Sequence, residues 1–364
     1  MSGEYRSFLG RSRILGLAGL VFASGQVGAG PYGTDSCSSA NTAECLNGVS
    51  SGVVGGDSLR SSAPAIAHHR STDERTDGQA RARLDGSSGL AAGDGMTGWG
   101  LWGSVAGSRF EGDPSFGSDV TRFDGRLVTG LIGADIALGR YVVLGAALGG
   151  ENLRSDTDFN GGSQDTDGLT LAPYAVFTFG NHFSVDVSAG FSSLDNHQDR
   201  IDPTNGSTLN ANFDSERWFG AVNANAIFES GRWILGARLG YLYTEESQDS
   251  YVETGGPSAR SVDDRDLDLS QGQMGVDVGY AFDSFEPYAR ISYHYDFSRD
   301  DGQEVGGLPG DNVRTDFDDD AFYFAAGVRF LHGRNVSGNV EVEQEAGRED
   351  FDNTSISVTI RADF

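Results

Sequence analysis

The chain has 364 residues, among them 53 glycines and 8 prolines, and a formal net charge of −27. That charge argues against nucleic-acid binding, because phosphate groups need lysine and arginine partners, and against adsorption to anionic membranes through basic patches. Apolar residues make up 38% of the chain. Beyond one short N-terminal run, no stretch approaches the ~20 apolar residues of a membrane-spanning helix.

Residues 1–29 have the features of a cleavable signal peptide. Arg6, Arg11 and Arg13 supply the basic region, residues 14–23 the apolar run, and residues 27–29 the small side chains of a cleavage site. The apolar run is too short to span a membrane. We therefore expect export into an oxidising compartment.

Residues 30–95 are predicted to be a short passenger or linker. They are rich in Ser, Gly and Asp without a sustained period, which is typical of disorder. Residues 71–84 favour a helix, with acids early and arginines late, and this helix is a candidate to lie in a barrel lumen. Cys37 and Cys45 suit a disulfide in an oxidising compartment, with two free thiols as the alternative.

Residues 96–364 alternate short turns, flanked by aromatic or large aliphatic side chains, with long polar stretches. This asymmetry is typical of outer-membrane β-barrels, whose aromatic residues form girdles at the membrane interfaces. We predict an all-β, antiparallel, up-and-down transmembrane barrel of about twelve strands, with both ends on the periplasmic side. The turns are residues 138–141, 179–183, 228–233, 282–285 and 330–334, and the polar stretches are residues 111–122, 152–166, 195–216, 245–266, 298–319 and 346–350.

The strands alternate with a period of two, which places lipid-facing and lumen-facing side chains on opposite faces. In the last strand Ile356, Val358 and Ile360 share one face with the terminal Phe364. Charges on the other face either pair across the lumen, positioning a plug or setting ion preference, or only solvate the interior. The predicted lumen charges are Asp135, Asp186, Arg238, Asp277, Arg290, Arg329, Glu341 and Arg361.

Several segments, taken in order, resemble the β-domain of autotransporters, the type V secretion translocators of Gram-negative bacteria. They are residues 100–109, 130–138, 144–149, 286–293 and 338–343, followed by the terminal Phe364. The resemblance implies a twelve-stranded barrel in the outer membrane. It also implies that Phe364 is an assembly signal read by the barrel-assembly machinery.

Two functional hypotheses follow. The first is a translocator that anchors or exports the short N-terminal segment. The alternative is a pore or adhesin-like barrel that acts through its acidic extracellular loops on an unidentified ligand. Outer-membrane lipid and the assembly machinery are the expected partners, and we predict no cofactor.

Two weaker patterns suggest ligand or catalytic chemistry. Asp156, Asp158 and Asn160 occupy the first three ligand positions of a calcium loop, but position twelve is Asp167, where a bidentate Glu is expected; an acidic hairpin is the alternative. His294 and Asp296 form an inward-facing acid–histidine pair near the outer end of a strand. We predict no enzyme activity, because a second carboxylate pair cannot be placed.

Overall fold

The computed structural model describes residues 98–364 apart from residues 114, 117–118, 121, 140, 159, 181, 283, 301–318, 333–335 and 349–350. The predicted signal peptide, the passenger or linker with its helix, the two cysteines and the first two residues of the predicted barrel lie outside the described residues.

Twelve long strands form one closed antiparallel barrel, which confirms the predicted fold class and strand number. Two further pairs of short strands form small hairpins within loops. Among the described residues, no helix is long and apolar enough to cross a membrane. The strands are β1 (Trp99–Gly112), β2 (Ser115–Phe116), β3 (Asp119–Val120), β4 (Phe123–Leu138), β5 (Val142–Thr157), β6 (Gly162–Phe179), β7 (Phe183–Ile201), β8 (Thr208–Ser230), β9 (Trp233–Gln248), β10 (Tyr251–Val252), β11 (Ser261–Val262), β12 (Arg265–Tyr280), β13 (Phe285–Asp300), β14 (Asp320–His332), β15 (Val336–Ala346) and β16 (Phe351–Asp363).

Short turns join the barrel strands at one end. The turn between β4 and β5 contains Gly139, whose φ of 69° lies in the left-handed region that suits glycine. Aromatic side chains gather at this end, where Phe282 stacks on Phe285 with ring centroids 4.6 Å apart. β1 starts and β16 ends at the same end of the barrel, since Gly100 pairs with Asp363.

The period-two pattern of the sequence becomes two chemically different faces of the wall. Along β4, the side chains of Val128, Ile132 and Ile136 are exposed on the outer face, while those of Leu127 and Leu131 are buried on the inner face. The outer face is suited to lipid, and the inner face encloses the lumen.

Two of the predicted polar loops are mostly strand, and in this respect the sequence interpretation was wrong. β5 continues to Thr157 and β6 begins at Gly162, leaving only residues 158–161 as a turn. Likewise, β7 continues to Ile201 and β8 begins at Thr208. Above a bilayer the outward side chains face water, so hydropathy no longer alternates although backbone pairing continues.

Candidate functional site: the barrel lumen

All eight charges predicted to face the lumen lie on the inner face of the wall. Their exposed fractions range from 1% at Arg361 to 8% at Arg238. Four of the eight are arginines and four are carboxylates. The strands bring them into separate hydrogen-bonded groups.

The first group closes the barrel where β1 meets β16. Arg361 on β16 donates two hydrogen bonds of 2.7 Å to the carboxylate of Asp135 on β4, reaching across β1. Asp135 also accepts a hydrogen bond of 2.8 Å from the hydroxyl of Tyr174. The Tyr174 hydroxyl in turn accepts one of 2.8 Å from the indole of Trp102. Side chains of four barrel strands are thereby connected at the closing seam.

Glycines on the inner face make room for these long side chains. A Cβ atom at Gly100 would lie 2.2 Å from a guanidinium nitrogen of Arg361. A Cβ at Gly133 would lie 2.3 Å from the indole of Trp102. The abundance of glycine in the sequence is thus partly explained by side chains that lie flat across neighbouring strands.

A second group lies on β12, β13 and β14. Arg329 donates a hydrogen bond of 2.6 Å to Glu286 and lies 3.4 Å from a carboxylate oxygen of Asp277. Its guanidinium carbon is 3.8 Å from the ring centroid of Tyr288, a cation–π contact. A buried arginine is therefore neutralised by two carboxylates and covered by an aromatic ring.

Tyr288 connects this group to β15. Its hydroxyl donates a hydrogen bond of 2.6 Å to Glu341. Arg290 donates hydrogen bonds of 2.8 Å to Glu341 and 2.7 Å to Glu343. The predicted charges Asp277, Arg290, Arg329 and Glu341 thus belong to one connected network along one side of the wall.

The remaining two predicted charges lie on β7 and β9, and β9 is the next strand after β12 in the barrel order. Asp186 on β7 accepts hydrogen bonds of 2.6 Å from Asn223 and 2.8 Å from Asn225. Arg238 on β9 donates one of 3.1 Å to Asn225. Amide side chains of β8 thus connect an acid on β7 with a base on β9.

A bridge that the sequence reasoning missed joins β5, β8 and β9. Arg217 donates hydrogen bonds of 2.7 Å to Glu151 and of 3.0 and 2.8 Å to Glu246. β5 and β8 are separated by two strands in the barrel order, so the Arg217–Glu151 contact spans part of the lumen. All three residues lie near predicted strand ends; continuing the period-two pattern by a few positions would have assigned them to the inner face.

The acid–histidine pair is divided between different partners. Asp296 accepts hydrogen bonds of 3.0 Å from Arg348 and 2.7 Å from Gln271. The ring of His294 stacks on Tyr323 with centroids 4.1 Å apart. Asp296 thus contacts an arginine and a glutamine, whereas His294 contacts an aromatic ring.

The calcium pattern falls on the β5–β6 hairpin. Asp156 pairs with Ser163 across the hairpin, whereas Asp167 pairs with Asn152 further along the strands, away from the turn. Asn160 accepts a hydrogen bond of 3.0 Å from the backbone of Gly162. The hairpin thus separates Asp167 from the turn, and in the described part of the chain no cluster of three or more His, Cys, Asp or Glu could hold a metal ion.

Phe364 completes the closing seam on the outer side. Its ring stacks on Trp99 with centroids 4.2 Å apart, and its backbone nitrogen donates a hydrogen bond of 2.9 Å to the carbonyl of Trp99. The first and last aromatic residues of the barrel are therefore in direct contact.

A family model described as "Autotransporter beta-domain" matches residues 101–343, about two thirds of the chain. The chain belongs to this autotransporter family. The translocator domain of the autotransporter NalP from Neisseria meningitidis is 16% identical, with a TM-score of 0.62 over 82% of this chain and 97% of that domain. The β-domain of the Bordetella autotransporter BrkA is 17% identical, with a TM-score of 0.60 over 74% of this chain and 100% of that domain. The comparison with curated proteins gives no match.

The loop end of this autotransporter barrel carries a folded extension. The loop between β9 and β12 contains the β10–β11 hairpin, which packs against the ends of β7 and β8. Tyr251 stacks on Phe213 with ring centroids 4.6 Å apart. Arg200 forms a buried bidentate ion pair with Glu253, with hydrogen bonds of 2.7 and 2.5 Å.

Asp202 fixes the tip of the same extension. Its carboxylate accepts hydrogen bonds of 2.9 Å from the backbone nitrogen of Ser258 and 2.8 Å from that of Thr204. Burial by itself raises the pKa of a carboxyl, but these hydrogen bonds act in the opposite sense and hold the pKa of Asp202 below its ordinary value. The ionised form of Asp202 therefore stabilises the folded loop.

Proposed function

We propose that this autotransporter barrel anchors or exports its own N-terminal segment by passing it through the lumen. The supporting observation is the wall itself, where eight predicted charges, four of each sign, face inward from strands that close into a barrel. The start of β1 lies at the short-turn end, so the preceding residues enter from the periplasmic side.

Polar groups on β15 are consistent with a hydrated or polypeptide-filled passage. Ser337 and Asn339 are buried on the inner face. Among the described residues, the Ser337 hydroxyl and both amide atoms of Asn339 make no hydrogen bond. Buried polar groups normally have a protein or water partner, and a lumen that holds water or a peptide backbone provides one.

The proposal is tested by deleting residues 31–95 and measuring single-channel conductance in planar bilayers. We expect the truncated barrel to conduct ions more strongly than the full chain while keeping its heat-modifiable migration on denaturing gels. Equal conductance of the two proteins would place the segment outside the pore and refute passage through the lumen.

We further propose that the last strand has the barrel-assembly machinery as its partner and that the protein has no enzymatic role. Phe364 contacts Trp99 at the closing seam, where we infer that the barrel-assembly machinery recognises the terminal aromatic residue. The contacts of His294 and Asp296 support structural roles for both.

The folded loop extension favours a second candidate function, surface interaction. An aromatic stack and a buried ion pair hold the loop between β9 and β12 in one conformation. A preformed surface binds a partner at a smaller entropic cost than a disordered loop. Deleting residues 250–263 should abolish adhesion to host cells or matrix while leaving membrane insertion intact; unchanged adhesion would exclude this candidate.

A further inference from the structure

Three arginines lie side by side on the outer face of the barrel, near the loop end. Arg109 on β1 is directly opposite Arg126 on β4, and Arg126 is directly opposite Arg154 on β5. All three side chains are exposed. We call Arg109, Arg126 and Arg154 the arginine row.

This arrangement is unfavourable for the barrel alone. Neighbouring strands are ~4.8 Å apart, and like charges directly opposite each other on one face are destabilising. Arg154 lies 3.5 Å from a carboxylate oxygen of Asp165. Among the described residues, Arg109 and Arg126 form no hydrogen bond or ion pair, although the chain has 53 acidic residues for 26 basic ones. The row is therefore suited to an anion from outside the chain.

The height of the row places it at the membrane surface. On β4 the outward apolar side chains run from Leu138 to Val128, ten residues or ~33 Å along the strand. With a strand tilt of ~40°, this length spans ~25 Å of membrane, which is the height of the apolar band of such barrels. Arg126 is the next outward residue beyond Val128, at the level of the lipid headgroups of the outer leaflet.

The arginine row lines a cleft of about 1070 Å³. Arg122 and Thr354 also line it. Its volume is slightly above the ~300–1,000 Å³ typical of sites for small organic ligands. A phosphorylated sugar headgroup is of suitable size, and the guanidinium group is suited to bidentate hydrogen bonding of phosphate.

A row of carboxylates lies two residues further along the same strands, away from the membrane, and also lines the cleft. Glu111 is opposite Asp124, and Asp124 is opposite Asp156; Asp113 and Asp352 are nearby in the same cleft. A free anion approaching from solvent meets these acids first. A phosphate carried by a lipid approaches sideways within the leaflet and meets the arginines first.

A different part of the outer face has the opposite character. On β6, β7 and β8, just above the apolar band, Asp167 is directly opposite Asp195, and Asp195 is directly opposite Asp214. We propose that the arginine row binds the phosphate groups of a phosphorylated glycolipid of the outer leaflet. This assignment depends on the outer-membrane location and is independent of passage through the lumen.

The test compares lipid binding by the full-length protein and two triple variants. Native mass spectrometry of the protein in detergent measures the binding of bisphosphorylated lipid A and of the same lipid without its phosphates. We expect the variant Arg109→Gln/Arg126→Gln/Arg154→Gln to bind bisphosphorylated lipid A at least about tenfold more weakly, since hydrogen bonds between charged groups are lost. The matched control Asp167→Asn/Asp195→Asn/Asp214→Asn removes as many charges from that different part of the outer face and should bind at least as tightly as the wild type.

Heat-modifiable migration on denaturing gels shows whether each variant is folded. Compared with the glutamine variant, a variant with Arg→Lys at all three positions should recover part of the binding. Equal affinity of wild type and the glutamine variant would overturn the proposal, as would equal affinity for the dephosphorylated lipid. Displacement of lipid A by millimolar inorganic phosphate would also overturn it, because it would assign the cleft to a free anion.

Discussion

The lumen face and the lipid face of the barrel wall use the same strands in opposite ways. On β12, Val276 is exposed on the outer face, whereas its neighbour Asp277 is buried and lies 3.4 Å from Arg329. Side chains of the outer face need only be apolar, since lipid accepts many shapes. Side chains of the inner face must match one another, because a buried charge is tolerated only with compensating partners. Substitution should therefore follow different rules on the two faces.

The largest effect is expected in the lumen, at the closing seam. Arg361→Met removes two hydrogen bonds to the buried carboxylate of Asp135. Breaking one side of a buried ion pair costs about 3–5 kcal/mol. We expect a loss of this size in the free energy of unfolding, measured by urea titration in lipid vesicles. The double variant Asp135→Leu/Arg361→Met should lose less than the sum of the two single losses; strict additivity would show that the two groups do not interact.

On the lipid face, a charge should cost most near the middle of the apolar band and little at its edges. Val276→Arg introduces an arginine near mid-strand, at a cost of about 2–4 kcal/mol at the bilayer midplane. Val276→Leu is the matched control and should be nearly neutral. The same urea titration gives both values. A neutral Val276→Arg would mean that this face does not contact lipid.

A smaller effect on stability, but a clear one on assembly, is expected at Phe364. Its stack on Trp99 contributes about 0.5–1.5 kcal/mol beyond area burial. Phe364→Asp should reduce the amount of barrel in the outer membrane and leave unfolded protein in the periplasm, as measured by cell fractionation. Phe364→Tyr keeps the ring and should insert normally, and insertion of Phe364→Asp at the wild-type level would contradict the role as an assembly signal.

The smallest effect is expected outside the membrane, at Asp202. Because the folded-state pKa is depressed, ionised Asp202 stabilises the loop above the unfolded pKa of ~3.9. That contribution is lost as the pH falls through the folded value. A pH titration followed by NMR of the Asp202 carboxyl carbon should have its midpoint below pH ~3.9. At neutral pH, Asp202→Asn should speed proteolysis of residues 249–264, and Asp249→Asn serves as a control.

Much of the lumen was predictable because a period of two assigns inward and outward side chains without knowledge of the fold. Asp277 and Arg329 could be placed inside from their own strands alone. Their pairing was not predictable, since it depends on the stagger between β12, β13 and β14. Glu151 and Arg217 were missed because outward residues beyond the bilayer become polar, and the alternation that marks a strand then fades.

By itself, the sequence determined the barrel, the approximate number of its strands and the face on which each mid-strand residue lies, because the bilayer imposes alternating polarity on every spanning strand. Only the tertiary structure decided which residues meet. Arg361 and Asp135 are 226 positions apart, and the three residues of the arginine row belong to three strands. Such contacts depend on strand register, which is set by the closed sheet as a whole and leaves no local pattern in the chain.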